Sequence, residues 1–143
     1  MARVLVVYCS MTGNTKAAAE AVAAGAKEAG AEIILREASQ AGPEDLLACD
    51  AVALGSYDAF SYMGGLLKDF LDRCFYPTQG QVTGKPCGIF LTHGGGGRAL
   101  DSMVQIAESF KLSSAAEPVS VKGMPDESAR SQLRALGAQL AGQ

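Results

Sequence analysis

The 143 residues of the chain are 48% hydrophobic and 19% charged, a length and apolar content that suit one well-buried domain and argue against disorder. A balance of 15 acidic against 12 basic residues leaves a formal charge of −3 with no Lys/Arg run, so no field is present to draw in nucleic acid or an anionic membrane. No stretch reaches the ~18 apolar residues of a membrane span, and the opening MARVLVVYCSMTGN lacks the length and cleavage region of a signal peptide, so a cytoplasmic protein is expected.

Five strands can be placed in chain order. Arg3 to Tyr8 reads RVLVVY, Glu32 to Arg36 EIILR, Asp50 to Ser56 DAVALGS and Cys87 to Thr92 CGIFLT, and Pro118 to Val121 closes the series. Near-continuous apolar runs mark strands buried on both faces, whereas the polar ends of the second run and Pro118 in the last suit sheet edges. The first helix is expected from Thr15 to about Ala29, capped by Gly30, and a short one from Pro43 to Ala48, where Pro, Glu and Asp suit a first turn. Helical spacing then groups Leu66, Leu67, Phe70, Leu71 and Cys74; Leu100, Met103, Val104, Ala107 and Phe110; and Leu133, Leu136 and Leu140. Strands alternating with helices predict an α/β parallel sheet covered on both faces. Cys9, Cys49, Cys74 and Cys87 form no C-x-x-C pair, which predicts reduced, mostly buried thiols and no zinc site.

Ligands of an open α/β sheet sit at the carboxyl ends of the strands, where strand order reverses. After the first strand, Ser10-Met11-Thr12-Gly13-Asn14-Thr15 runs into a helix. Its three hydroxyls, a permissive glycine and the free N–H groups of a first turn make a cup for a phosphate. Without the lysine of a nucleotide P-loop or a G-x-G-x-x-G run, one terminal phosphate monoester fits best. An ordinary helix N-cap would use some of these residues, but not four in six.

S-x-T-G-N-T after a first apolar strand resembles the FMN phosphate loop of the flavodoxin family. The order and length of the other elements extend that resemblance over essentially the whole chain, and the tight link Lys122 to Asp126 is similar to short-chain members. The resemblance implies a three-layer α/β/α sandwich with a five-stranded parallel sheet in the order 2-1-3-4-5, with FMN as cofactor. Ser10, Thr12, Asn14 and Thr15 would then bind the FMN phosphate through side chains, and Met11 and Gly13 through backbone N–H. The segment from Ser56 to Gly65 (SYDAFSYMGG) and its LLKDFLDR helix resemble the family form G-S-P-T-Y-F-G-N-M-x-G-x-L-K-x-F-L-D-R, which implies a cofactor wall of Ser56, Tyr57, Asp58, Ala59, Phe60, Tyr62 and Gly64. Tyr57-Asp58-Ala59 replaces Pro-Thr-Tyr and Ser61 replaces a glycine, so Tyr57, Phe60 and Tyr62 all remain candidates for the aromatic that covers the flavin. Thr92, His93, Gly94, Gly95, Gly96 and Gly97 resemble the loop that meets the polar edge of the flavin; a glycine run permits close approach at an entropic cost. His93 either bonds near the flavin or points to solvent.

The function implied is one-electron transfer between redox protein partners, by a monomer or weak homodimer. Asp58 near the ring would lower the potential of the reduced flavin by charge repulsion. An FMN-dependent NAD(P)H:quinone reductase is the alternative, since the same helix motif recurs in that branch, although 143 residues leave little for its extra loops. A phosphorylation-dependent receiver domain matches at Asp58, Thr92 and Lys122 but lacks the acid pair for Mg²⁺, Cys9-Ser10 standing in its place. A fold that has lost its cofactor would have no use for the hydroxyl-rich loop.

Overall fold

A computed structural model describes residues 1–142. In chain order its elements are β1 (Arg3–Tyr8), α1 (Asn14–Glu28), β2 (Glu32–Glu37), α2 (Pro43–Ala48), β3 (Ala51–Ala59), β4 (Tyr62–Met63), α3 (Gly65–Thr78), β5 (Pro86–His93), α4 (Ala99–Ser109), β6 (Ser113–Ser114), β7 (Val119–Lys122) and α5 (Glu127–Ala141).

The apolar runs of β1, β3 and β5 become the sheet centre, in the order β2-β1-β3-β5, every pair parallel. The expected order 2-1-3-4-5 is therefore realised, with the fifth position split in two. There β6 pairs with Pro86 and Cys87, β7 pairs with Phe90 to His93, and the stretch ending in Pro118 leaves the ladder. Proline has no N–H to give an edge, so the interruption falls where its sequence allows. In β7, Val119 and Val121 point inward and alternate with exposed neighbours, as an edge with one buried face should.

Alternation along the central strands feeds two cores. Leu5, Val7, Val52, Leu54 and Leu91 meet Leu46 of α2, Leu67, Phe70 and Cys74 of α3, and Met103 of α4. On the other face Val4, Val6, Ala53 and Phe90 meet the alanines of α1 and Leu133, Leu136 and Leu140 of α5. A Cβ at Gly137 would run into the carbonyl of Val22, and one at Gly25 into that of Arg134. The alanine and glycine content of this layer thus sets how closely α1 and α5 approach.

Two expectations need correction. Leu66 is 52% exposed rather than buried with Leu67 and Phe70, because a 100° step per residue leaves it on the flank of the stripe centred on Leu67 and Cys74. The third strand does not stop at Ser56: Tyr57 continues the pairing to Thr92, and Asp58 and Ala59 turn back against Met63 and Tyr62. What reads as a loop is a short antiparallel hairpin carried on the end of β3.

Candidate functional site

The carboxyl ends of β1, β3, β5 and β7 surround a cleft of about 310 Å³ lined by Met11, Thr12, Asn14, Thr15, Tyr57, Asp58, Thr92, His93, Gly94 and Gly123. It lies where the chain, having placed β2 on one side of β1, returns to place β3 on the other. A larger, mostly apolar cavity of about 380 Å³ sits at the opposite end of β5, between Cys87, Val104, Leu112 and Pro118. None of the strand-end loops reaches it.

The first wall is the loop from β1 to α1. Gly13, at φ +97°, turns the chain into the helix. Ser10 Oγ accepts from the N–H of Gly13 (3.2 Å) and of Lys16 (3.3 Å) and so organises the loop rather than facing the cleft. The first-turn N–H groups of Asn14 and Thr15 have no partner within the helix, and both residues line the cleft. Thr15 and Thr92, only 1% and 2% exposed, share a hydrogen bond of 2.7 Å that joins the loop to β5.

The second wall is the hairpin. Phe60 and Ser61 form its two-residue turn at φ +55° and +68°, the paired left-handed geometry that ordinarily selects Asn-Gly. For residues with a Cβ this costs about 1–2 kcal/mol each. Asp58 holds the turn through Oδ1, which accepts from Ser61 N–H at 2.8 Å, while its Oδ2 accepts from Ala99 N–H, the start of α4, at 3.0 Å. Ser102 Oγ adds a second tie, accepting from Met63 N–H (3.2 Å) and donating to the Ala99 carbonyl (2.6 Å).

The third wall is the glycine loop after β5. A Cβ at Gly94 would meet no protein atom within 4 Å, so packing does not explain the missing side chain. His93 Nδ1 is buried and finds no hydrogen-bond partner among the described residues. Gly123 donates its N–H to the His93 carbonyl at 2.8 Å and closes the floor. Sequence reasoning missed Gly123, although its place directly after the last strand was the available signal.

Of the other expected residues, Ser56 and Gly64 lie beneath the site. Ser56 is fully buried; its hydroxyl accepts from Gly64 N–H and donates to the Tyr57 carbonyl, both at 2.7 Å. A Cβ at Gly64 would strike Cys9 Sγ and the Tyr57 ring. Burial pushes the Cys9 thiol up, against its hydrogen bond with Ser56, which pulls the other way, and also raises the Tyr57 phenol. Of the three aromatic candidates, Tyr57 lines the cleft, whereas Phe60 is fully exposed at the hairpin tip and Tyr62 is 42% exposed. Gly94 reaches the cleft; Gly95, Gly96, Gly97 and Ala59 do not line it. Among the described residues no three His, Cys, Asp or Glu side chains are grouped to hold a metal ion.

No protein-family model matches the chain. It is 38% identical over 98 residues to a flavodoxin from Aquifex aeolicus, a match covering 68% of this chain and 53% of that protein. It is 32% identical over 136 residues to an NAD(P)H dehydrogenase (quinone) from Archaeoglobus fulgidus, covering 73% of this chain and 70% of that protein. The chain belongs to the flavodoxin-like family. The fold agrees: an archaeal flavodoxin structure superposes with a TM-score of 0.91 over 98% of this chain and 96% of its own, at 22% identity. The chain spans about half the length of the Aquifex relative. No helix among the described residues is long and apolar enough to cross a membrane.

Proposed function

We propose that the chain, as one flavodoxin-like domain, binds FMN in the cleft and carries electrons between cytoplasmic redox proteins. The observation that carries this reading is the meeting of two kinds of wall in one cleft: unpaired first-turn N–H groups at Asn14 and Thr15, and an aromatic and glycine-lined wall at Tyr57 and Gly94. The residues present fit the group. Met11, Thr12, Asn14 and Thr15 would hold the phosphate by backbone N–H and side chains at the positive end of α1. Gly94 leaves the room a side chain would fill, and the buried Nδ1 of His93 supplies a polar atom with no hydrogen-bond partner among the described residues. When bound, FMN supplies reversible electron transfer.

The chain's own part is to bind, orient and expose. Tyr57 offers a half-buried face, and Asp58 sets a carboxylate in the wall. On the loops at this end of the sheet, Met11, Phe60 and Met124 are 76%, 102% and 53% exposed. Apolar contact of this kind suits docking of a protein partner when a net charge of −3 gives little long-range steering.

A second reading, an FMN-dependent NAD(P)H:quinone reductase, is favoured by the similarity to the Archaeoglobus protein. Anaerobic reduction tests the choice. A carrier accepts electrons from a photochemical donor and is not reduced at a catalytic rate by NADH or NADPH alone. Rapid turnover of either nucleotide with a quinone would overturn the carrier reading in favour of the reductase.

A further inference from the structure

Asp58, in the hairpin wall of the cleft, is bonded at once to its own turn and to the start of α4. Its Oδ1 is bonded to the Ser61 amide inside a turn that Phe60 and Ser61 enter only with left-handed backbones, and its Oδ2 is bonded to the Ala99 amide. Arg98, which occupies the cap position of α4, makes no side-chain cap. Asp58 therefore caps that helix from another strand, where the dipole favours a negative group. Ala99 is fully buried and follows directly on the glycine loop, so fixing its amide fixes where that loop ends. The Met63 to Ser102 bond repeats the connection one step along, between the other hairpin strand and α4.

We infer that Asp58 is the positioning residue of the ring end of the site: through its two oxygens it holds the strained hairpin and the glycine loop as one body, set for the flavin. This rests on the FMN reading above. An acid is required because both amides are donors. A carboxylate accepts from the two together, whereas an asparagine must turn its own NH₂ toward one of them. The phosphate end, built on Ser10 and α1, is held by different bonds and is independent of Asp58.

The test is Asp58→Asn, studied first without flavin by amide hydrogen exchange and then by titration with FMN and, separately, with inorganic phosphate. The expected result is exchange at least tenfold faster at Ser61 and Ala99 but not in β1 or α5, with FMN bound at least tenfold more weakly. Phosphate-induced shifts at the Asn14 and Thr15 amides should be unchanged. Adding Phe60→Asn and Ser61→Gly, which let the turn form unaided, should regain at least threefold of the lost FMN affinity. Exchange rates equal to those of the parent, FMN affinity within twofold, or loss of the phosphate response in step with FMN would each overturn the inference. A parent protein that retains no FMN would instead remove the flavin reading, and the exchange comparison would still decide whether Asp58 clamps the two loops.

Discussion

The hydroxyls of Thr15 and Thr92 share a hydrogen bond of 2.7 Å beneath the cleft, 77 residues apart in sequence and both buried. One belongs to the phosphate-side loop and the other to the strand that launches the glycine loop, so a single bond registers α1 against β5. Removing one hydroxyl strands the other in a buried position at a cost of about 1–3 kcal/mol, while removing both leaves nothing unpaired. Thr15→Val and Thr92→Val should each lower the urea midpoint, and the double variant should lose less than the sum. Strict additivity would show that the pair is not coupled.

The crossing of α1 and α5 depends on two glycines. At Gly137 an added Cβ meets the Val22 carbonyl, which is backbone and cannot turn aside. Gly137→Ala should therefore destabilise by about 3 kcal/mol or more, through forced separation of the helices. A change under about 1 kcal/mol in chemical denaturation would contradict the packing described.

Strain in the hairpin turn predicts a gain. Ser61, at φ +68°, pays for a Cβ in the left-handed region, and glycine removes that cost while adding chain entropy to the unfolded state. Ser61→Gly should stabilise the flavin-free protein by about 0.5–1 kcal/mol, seen as a higher melting temperature. A lower one would mean that the turn is not strained as its backbone angles indicate.

The buried thiols give a pH dependence of defined sign. Burial holds Cys49 up to about 11 and Cys74 and Cys87 up to about 12, against an ordinary 9.0. Above pH 9 the unfolded chain releases these protons while the folded one keeps them, so stability is full below pH 9 and declines from there toward pH 11–12. The urea midpoint should fall between pH 8.5 and 10.5, and fall less steeply in Cys74→Ala. Equal slopes would show that Cys74 ionises alike in both states.

Most of this fold is legible in the sequence because the strongest signals are local. The apolar runs of β1, β3 and β5, the alanines of α1 and the Pro43 start of α2 each announce themselves without partners. What escaped reading depends on pairing across the chain. Asp58 and Ala59 become strand only because Tyr62 and Met63 fold back on them, and no Asn-Gly marks the turn. The same holds for the site. Hydroxyls and glycines after β1 and β5 mark two stretches by composition, but the bonds that Ser10 and Ser56 make within the protein are not visible there. Ser102 and the double role of Asp58 appear only when the loops are brought together.

Whether the cleft holds FMN is read most directly from the visible absorption spectrum of the purified protein after mixing with FMN and desalting. A flavin spectrum retained at one FMN per chain, and weakened when Asn14 is replaced by alanine, is the expected result. A colourless protein at full recovery, with native circular dichroism, would contradict it and leave the hydroxyl-rich loop and the unpaired His93 nitrogen to another ligand.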